Sequence, residues 1–414
     1  MNNFNKLIDR EVWSLIKKEE KRQNDNIELI ASENYVSQAV LKSAGSVLIN
    51  RYSEGYPNNR YYGGQEYIDA IENLAIKRAK KMFNLSDDWH VNVQPYSGSP
   101  ANNAVYLALL NFDDKIMGMS LTCGGHLTHG ASISFSGKIY HTIQYGVGTN
   151  GYLDYDNIEK LALEHKPNLI ICGYTAYPRT IDFKRFKKIA QKVGAYLMAD
   201  ISHIAGLIVG GVHPSPFPYA DVVTTTTHKT LRGPRGAIII CRKELAEKID
   251  KAVFPGIQGG PHDNITAAKA IAFGEALKPQ FKRYAQQIIK NAQALASELK
   301  RLGFKLITGG TDNHLILVDL TNKSISGREA QNLLDKVGIT LNKNTIPYDF
   351  RPPSDPSGIR MGTPAVTTRG FKEKEMKKIA FWIDQAIKNR SNQKELMKIR
   401  KEVKKMCHKF PIPK

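Results

Sequence analysis

Between Val91 and Cys241 short apolar runs alternate with segments whose apolar residues recur at helical spacing, and this alternation limits the fold more than any other feature of the chain. The runs Val91 to Gln94, Lys115 to Met119, Leu169 to Cys172, Ala195 to Ala199 and Ala237 to Cys241 read as strands. Between two of them Asp182 is placed to cap a helix whose Phe183, Phe186, Ile189, Ala190 and Val193 share one face, and Gly194 ends it. Strand, helix, strand implies a parallel crossover, because parallel neighbours cannot be joined by a tight turn. Upstream, Ile68, Ile71, Leu74, Ala75, Ala79 and Met82 predict a further amphipathic helix. The expected class is α/β with a large, mostly parallel sheet.

Beyond the Gly-Pro-rich stretch Phe254 to Pro261 the pattern changes: helices dominate to about Leu302, then strands follow at Phe304 to Ile307 and Leu315 to Val318. A smaller α+β domain is expected to begin near Lys278-Pro279. The chain then divides into residues 1–277, an arm plus the large domain, and 278–414. The turn-rich stretch Asn344 to Ser357 reads as a long loop of the kind that often carries function.

Several classes are disfavoured. No run of membrane-spanning length is apolar, and Met1 to Glu20 is polar and amphipathic rather than a signal peptide. The four cysteines lie far apart without metal-site spacing, as expected of reduced thiols in a cytoplasmic protein with no metal. A net charge of +20 raises nucleic acid as a partner, but the lysines are spread over helices such as Phe183 to Val193, and the densest run, Lys398 to Lys409, reads as a solvated helix face. The charge favours small anionic ligands instead.

Three pieces carry chemistry. Ser97-Gly98-Ser99-Pro100 opens an apolar helical run, and its hydroxyls, glycine and free helix-start N–H groups form a candidate phosphate cup, with Ser99 expected as N-cap and Pro100 at the first helical position. Asp200 ends a strand, where α/β sheets bind ligands, and can pair with a protonated pyridine nitrogen; His203 follows it. Lys229 follows the β-branched run Val222 to Thr227, and burial at a strand end lowers the basicity of an amine and prepares it to bond an aldehyde. A capped turn, a capping aspartate and a surface lysine would each account for one piece. Together the three pieces fit one cofactor, pyridoxal phosphate, whose phosphate, ring nitrogen and aldehyde each find a partner.

With these residues the chain resembles the serine hydroxymethyltransferase family, pyridoxal-phosphate enzymes of the aspartate-aminotransferase fold, over almost its full length. The resemblance is carried by Glu28 to Asn34, Glu54-Gly55-Tyr56-Pro57, Arg60 to Gly64, Gly124 to Gly130, Thr224 to Lys229, Thr311 to His314 and Gly358 to Pro364. It implies reversible transfer of the serine hydroxymethyl carbon to tetrahydrofolate, giving glycine. Lys229 would hold the cofactor as an imine, His126 stack on its ring, Asp200 pair with its nitrogen, and His203 and Thr226 assist. Ser97, Gly98, Ser99 and His228 would surround the phosphate, with Thr175 nearby. Arg360 would grip the substrate carboxylate, helped by Ser32 and Tyr62, and Glu54 would transfer protons. Tyr52, Glu54, Gly259 and Gly260 would reach the neighbouring subunit's site, so a homodimer with shared active sites is expected.

For the folate, Tyr61, Leu121, Gly125, Leu127 and Asn344 match the family. The loop Arg351 to Pro356 departs from it, with Ser354 where Phe is common and Asp355-Pro356 for Val-Thr. Pro100 replaces a usual Gln and Thr175 a usual Ser. His126 and His129 lack a third partner for a metal. A folate-independent aldolase acting on threonine-type β-hydroxy amino acids, with the same cofactor, is the alternative.

Overall fold

The computed structural model describes residues 9–413, so the first eight residues of the polar N-terminal segment lie outside it. Its main sheet has seven strands: β1 (Trp89–Asn92), β2 (Lys115–Met119), β3 (His141–Tyr145), β4 (Leu169–Cys172), β5 (Tyr196–Asp200), β6 (Val222–Thr226) and β7 (Ala237–Arg242). Their order is β1-β7-β6-β5-β4-β2-β3. Strands β6, β5, β4, β2 and β3 pair in parallel, while β7 runs antiparallel to both β6 and β1.

Alternation along each strand gives the sheet two buried faces. Met117, Ile170, Leu197, Val223 and Ile240 enter one apolar core with Phe183, Phe186 and Phe273. Ile116, Ile171, Met198, Val222 and Ile239 enter the other, against Ala101, Ala104 and Val105. The crossover between β4 and β5 is as expected: Asp182 accepts from the Arg185 N–H, and Gly194 ends the helix Phe183–Val193 in a left-handed conformation at φ 70°.

Strand β1 stops two residues short of the expected Gln94. The Val93 and Pro95 carbonyls turn instead to the Lys269 ammonium at 2.6 and 3.0 Å. The helix Glu66–Met82 forms as predicted, but its inward face carries Glu72, while Leu74 is 41% exposed. Apolar spacing alone cannot foresee this, because Glu72 is drawn in by an ion pair with Arg60 at 2.7 Å.

A second sheet holds β8 (Lys305–Leu306), β9 (Leu315–Asp319), β10 (Asn342–Asn344) and β11 (Gly358–Gly362) in the order β8-β9-β11-β10. Its separate apolar core takes in Ile316, Ile359, Phe371, Trp382 and Val403, and also Ile27 and Leu29 from early in the chain. The helix Pro279–Arg301 joins the two units: Phe281, Ala285 and Ile288 pack in the first core, Leu295, Ala296 and Leu299 in the second. Among the described residues no helix is long and apolar enough to cross a membrane.

Candidate active site

The carboxyl ends of the parallel strands converge on a cavity of about 280 Å³ lined by Ser32, Ser97, Gly98, Ser99, His126, Thr175, Asp200, His203, Thr226, His228 and Lys229. All eleven were singled out in the sequence. Glu33, Asn102, His129, Tyr174, Ser202 and Arg235 complete the lining and were not.

Lys229 lies just past β6, and its accessible surface faces this cavity. Burial pushes its amine down from 10.5 to about 8, with Arg360 and Arg235 adding repulsion that Asp200 partly offsets. Its Nζ donates to Thr226 Oγ1 at 3.0 Å. A nucleophilic amine needs this environment, because only the neutral form attacks a carbonyl.

Asp200 ends β5 and is buried. Burial alone would raise its pKa, yet donation from His129 Nε2 at 3.0 Å, from Asn102 Nδ2 at 2.9 Å and from the Ser202 N–H at 3.1 Å holds it well below the usual carboxylate range. His129 Nδ1 accepts from the His126 N–H at 3.3 Å, which fixes the tautomer that donates to Asp200. An ionised carboxylate therefore faces the cavity.

Burial and the neighbouring His129 push His126 down to about 4, so it presents an uncharged ring. His203 Nδ1 lies 3.2 Å from His314 Nε2, with the two rings stacked, and burial beside Lys229 keeps His203 neutral. Arg360, from β11, is adjacent: its Nη1 donates to the Thr175 carbonyl at 2.7 Å, and burial lowers it to about 10.

The phosphate cup differs in one detail from the expectation. The helix Gly98–Leu109 starts two residues early, with Ser97 as N-cap, so Ser99 and Pro100 lie inside its first turn. The strand ends at Asn92 and leaves the chain room to begin turning sooner. A Cβ on Gly98 would meet Thr226 Cγ2 at 2.8 Å, so the cup floor demands glycine.

Other expected residues lie elsewhere. Tyr52, Glu54, Gly259 and Gly260 form a second cluster, in which a Cβ added to Gly259 would be 3.4 Å from Glu54 Oε1 and 3.5 Å from the Tyr52 hydroxyl. Tyr62 stacks edge-on with Tyr52 and Tyr61, and all three tyrosines are exposed. None of these six residues lines the Lys229 cavity of the same chain. Gly125 and the exposed Leu121 and Leu127 lie on the loop after β2, and the Gly124 carbonyl there accepts from the Thr175 N–H at 2.8 Å. Asn344 pairs with Gly358 in register, two residues from Arg360. Ser354 is exposed in a turn.

Signals for the missed residues existed. Asn102 is one helical turn beyond Ser99, His129 belongs to the Gly124 to Gly130 motif, and Arg235 sits in the turn just before β7.

Pyridoxal phosphate fits these residues. The buried His228 Nδ1 has no hydrogen-bond partner beside the cup, where a phosphate oxygen would supply one, and the ionised Asp200 and the less basic Lys229 offer partners for a ring nitrogen and an aldehyde. A doubly wound sheet with this trio at its strand ends defines a pyridoxal-phosphate enzyme of the aspartate-aminotransferase type. Comparison with known proteins narrows the class. The family model for serine hydroxymethyltransferase matches residues 6–383. A serine hydroxymethyltransferase of Desulfotalea psychrophila is 57% identical over 405 residues, covering 98% of this chain and 95% of that protein. The chain belongs to the serine hydroxymethyltransferase family.

Proposed function

We propose that the Lys229 pocket catalyses reversible transfer of the serine hydroxymethyl carbon to tetrahydrofolate, giving glycine and methylene-tetrahydrofolate, with pyridoxal phosphate as cofactor. One observation carries this reading: a buried amine of lowered basicity, an ionised buried carboxylate and an anion cup share one cavity in a chain of this family. When bound, the cofactor supplies an electron-withdrawing ring that stabilises negative charge at the substrate α-carbon.

The chain's own residues divide the remaining work. Lys229 presents the amine. Asp200, kept ionised by His129, would accept from a protonated ring nitrogen, and the neutral His126 would offer a flat face. His203 and Thr226 would border the ring, and Ser97, Gly98, Ser99, His228 and Thr175 would hold its polar substituents. Arg360 binds the substrate carboxylate through its planar fork, with Ser32 and Tyr62 assisting. Glu54 holds and moves the proton at the departing or arriving hydroxymethyl oxygen. Tyr61, Leu121, Gly125, Leu127, Asn344 and Ser354 form the folate side.

The separation of the Glu54 cluster from Lys229 within one chain supports a homodimer in which Tyr52, Glu54, Gly259 and Gly260 complete the neighbouring subunit's pocket. The separate apolar cores support a division into residues 1–277 and 278–414, with Ile27 and Leu29 crossing to the second unit. Four free cysteines support a cytoplasmic location.

Borohydride reduction of the holoenzyme followed by peptide mapping tests the site: the label is expected on Lys229, and a label on another lysine overturns the assignment. Serine cleavage assayed with and without tetrahydrofolate separates transferase from aldolase. Strong folate dependence is expected, and indifference to folate would transfer the reading to the aldolase.

A further inference from the structure

Glu54 precedes a tiny hairpin, Gly55–Tyr56 against Asn59–Arg60, that is too short to hold its own shape. Arg60 holds it. One nitrogen, Nη1, donates to the Ser53 carbonyl at 2.9 Å and the Gly55 carbonyl at 2.8 Å, the two carbonyls flanking Glu54. The other nitrogens are committed outward, Nε to Asp69 Oδ1 at 2.9 Å and Nη2 to Glu72 Oε2 at 2.7 Å, both on the helix Glu66–Met82. The Arg60 side chain is 3% exposed.

Neighbouring groups reinforce the clamp. The Glu54 carbonyl itself accepts from the Tyr61 N–H at 3.0 Å, so three consecutive carbonyls are tied. Gln94 Nε2 donates to the Gly55 carbonyl and to Glu72 Oε1, both at 2.9 Å. The Gln94 carbonyl accepts from Gln258 Nε2 at 2.9 Å, close to Gly259 and Gly260. With the peptide planes on both sides of Glu54 fixed, its backbone dihedrals are fixed, and so is the direction in which its carboxyl leaves the chain.

Burying one guanidinium with two carboxylates is a costly way to brace a loop, and apolar side chains would do it more cheaply. What apolar packing cannot do is tie the Ser53 and Gly55 carbonyls and two carboxylates through one rigid plane, which needs the arginine fork. We propose that Arg60 is a positioning residue for Glu54, and that its effect is felt in the neighbouring subunit's active site rather than in that of its own chain. This rests on the proton-transfer role given to Glu54 above.

The test uses full-length holoenzyme and three variants. Arg60→Lys keeps the charge but cannot span the acceptors. It is expected to lower kcat for folate-dependent transfer roughly 10²-fold, the effect of about 1 Å of misplacement, while cofactor affinity and absorbance stay at wild-type values. Glu54→Gln is the comparator and should lose at least as much. Arg60→Lys chains are then mixed with Lys229→Ala chains under subunit exchange. Alone, Lys229→Ala is inactive and Arg60→Lys keeps about one hundredth of wild-type activity, but a hybrid dimer has one site with an intact Lys229 and a properly held Glu54, so about one quarter of wild-type activity should return.

Near-wild-type activity of Arg60→Lys beside an inactive Glu54→Gln overturns the proposal and leaves the role of Glu54 standing. An active Glu54→Gln removes that role and the proposal with it. Loss of activity together with cofactor binding, without rescue in the hybrid, makes Arg60 merely structural and also overturns it. Should Arg60→Lys fail to fold, Gln94→Met removes one bond to the Gly55 carbonyl. A smaller kcat loss with the same hybrid rescue supports the proposal, and absence of rescue overturns it.

Discussion

The lowered basicity of Lys229 sets how fast cofactor-free protein captures pyridoxal phosphate, and the dependence on pH follows from the structure. A fall from 10.5 to about 8 strongly disfavours the charged amine. At neutral pH roughly one molecule in ten then carries a free amine, about three-hundredfold more than for an ordinary lysine. Stopped-flow absorbance of cofactor capture across pH should give a rate that rises through about pH 8 and then levels. Two variants move the midpoint in opposite directions. Arg235→Met removes a repelling charge and raises it; Asp200→Asn removes an attracting one and lowers it. A linked stability effect has a definite sign. Between about 8 and 10.5 the unfolded chain binds more protons at this lysine than the folded one, so the cofactor-free protein gains stability with rising pH, and Lys229→Met should lack that increment. A capture midpoint near that of free lysine, or both variants shifting the midpoint the same way, would refute the reasoning.

Two further outcomes are expected. Arg360→Lys should raise the serine KM roughly 10- to 100-fold, the value of a charge-assisted hydrogen bond lost with the planar fork, while the cofactor absorbance stays unchanged. Lys269 is buried with its amine shared among the Val93, Pro95 and Ala237 carbonyls, so Lys269→Met should lower unfolding stability by about 2–4 kcal/mol in denaturant titrations, with weaker cofactor retention because Ser97 lies two residues beyond Pro95.

The strands at Lys115 to Met119 and Leu169 to Cys172 match their sequence expectation to the residue, because a doubly buried parallel strand is an uninterrupted apolar run and needs no partner to be recognised. The ends of β1 and of the cup helix were less legible: both depend on Lys269, Gln258 and Thr226, which lie far away in sequence. Cavity residues with distinctive chemistry, Lys229 and Asp200, could be read directly. Asn102 and His129 could not, since their importance is a contact with Asp200 across 98 and 71 residues of chain. Glu54 marks the limit of the reading. Its motif was visible, but its distance from Lys229 within one chain depends on where a two-residue-strand hairpin is carried by Arg60 and Gln94.

The link from β6 to β7 runs through Thr227 to Gly236, where the Thr227 N–H donates to the Gly236 carbonyl at 2.9 Å, the Gly233 N–H to the Thr227 carbonyl at 2.7 Å and the Thr227 hydroxyl to the Pro234 carbonyl at 2.6 Å. Most surface loops absorb insertions and deletions, because their length is not coupled to anything chemical. This one is a ruler: it sets Lys229 and Arg235 on opposite limbs at a fixed offset over the same cavity. One residue more or fewer would slide the amine past the cup. The ten residues from Thr227 to Gly236 around Lys229 must therefore keep their count.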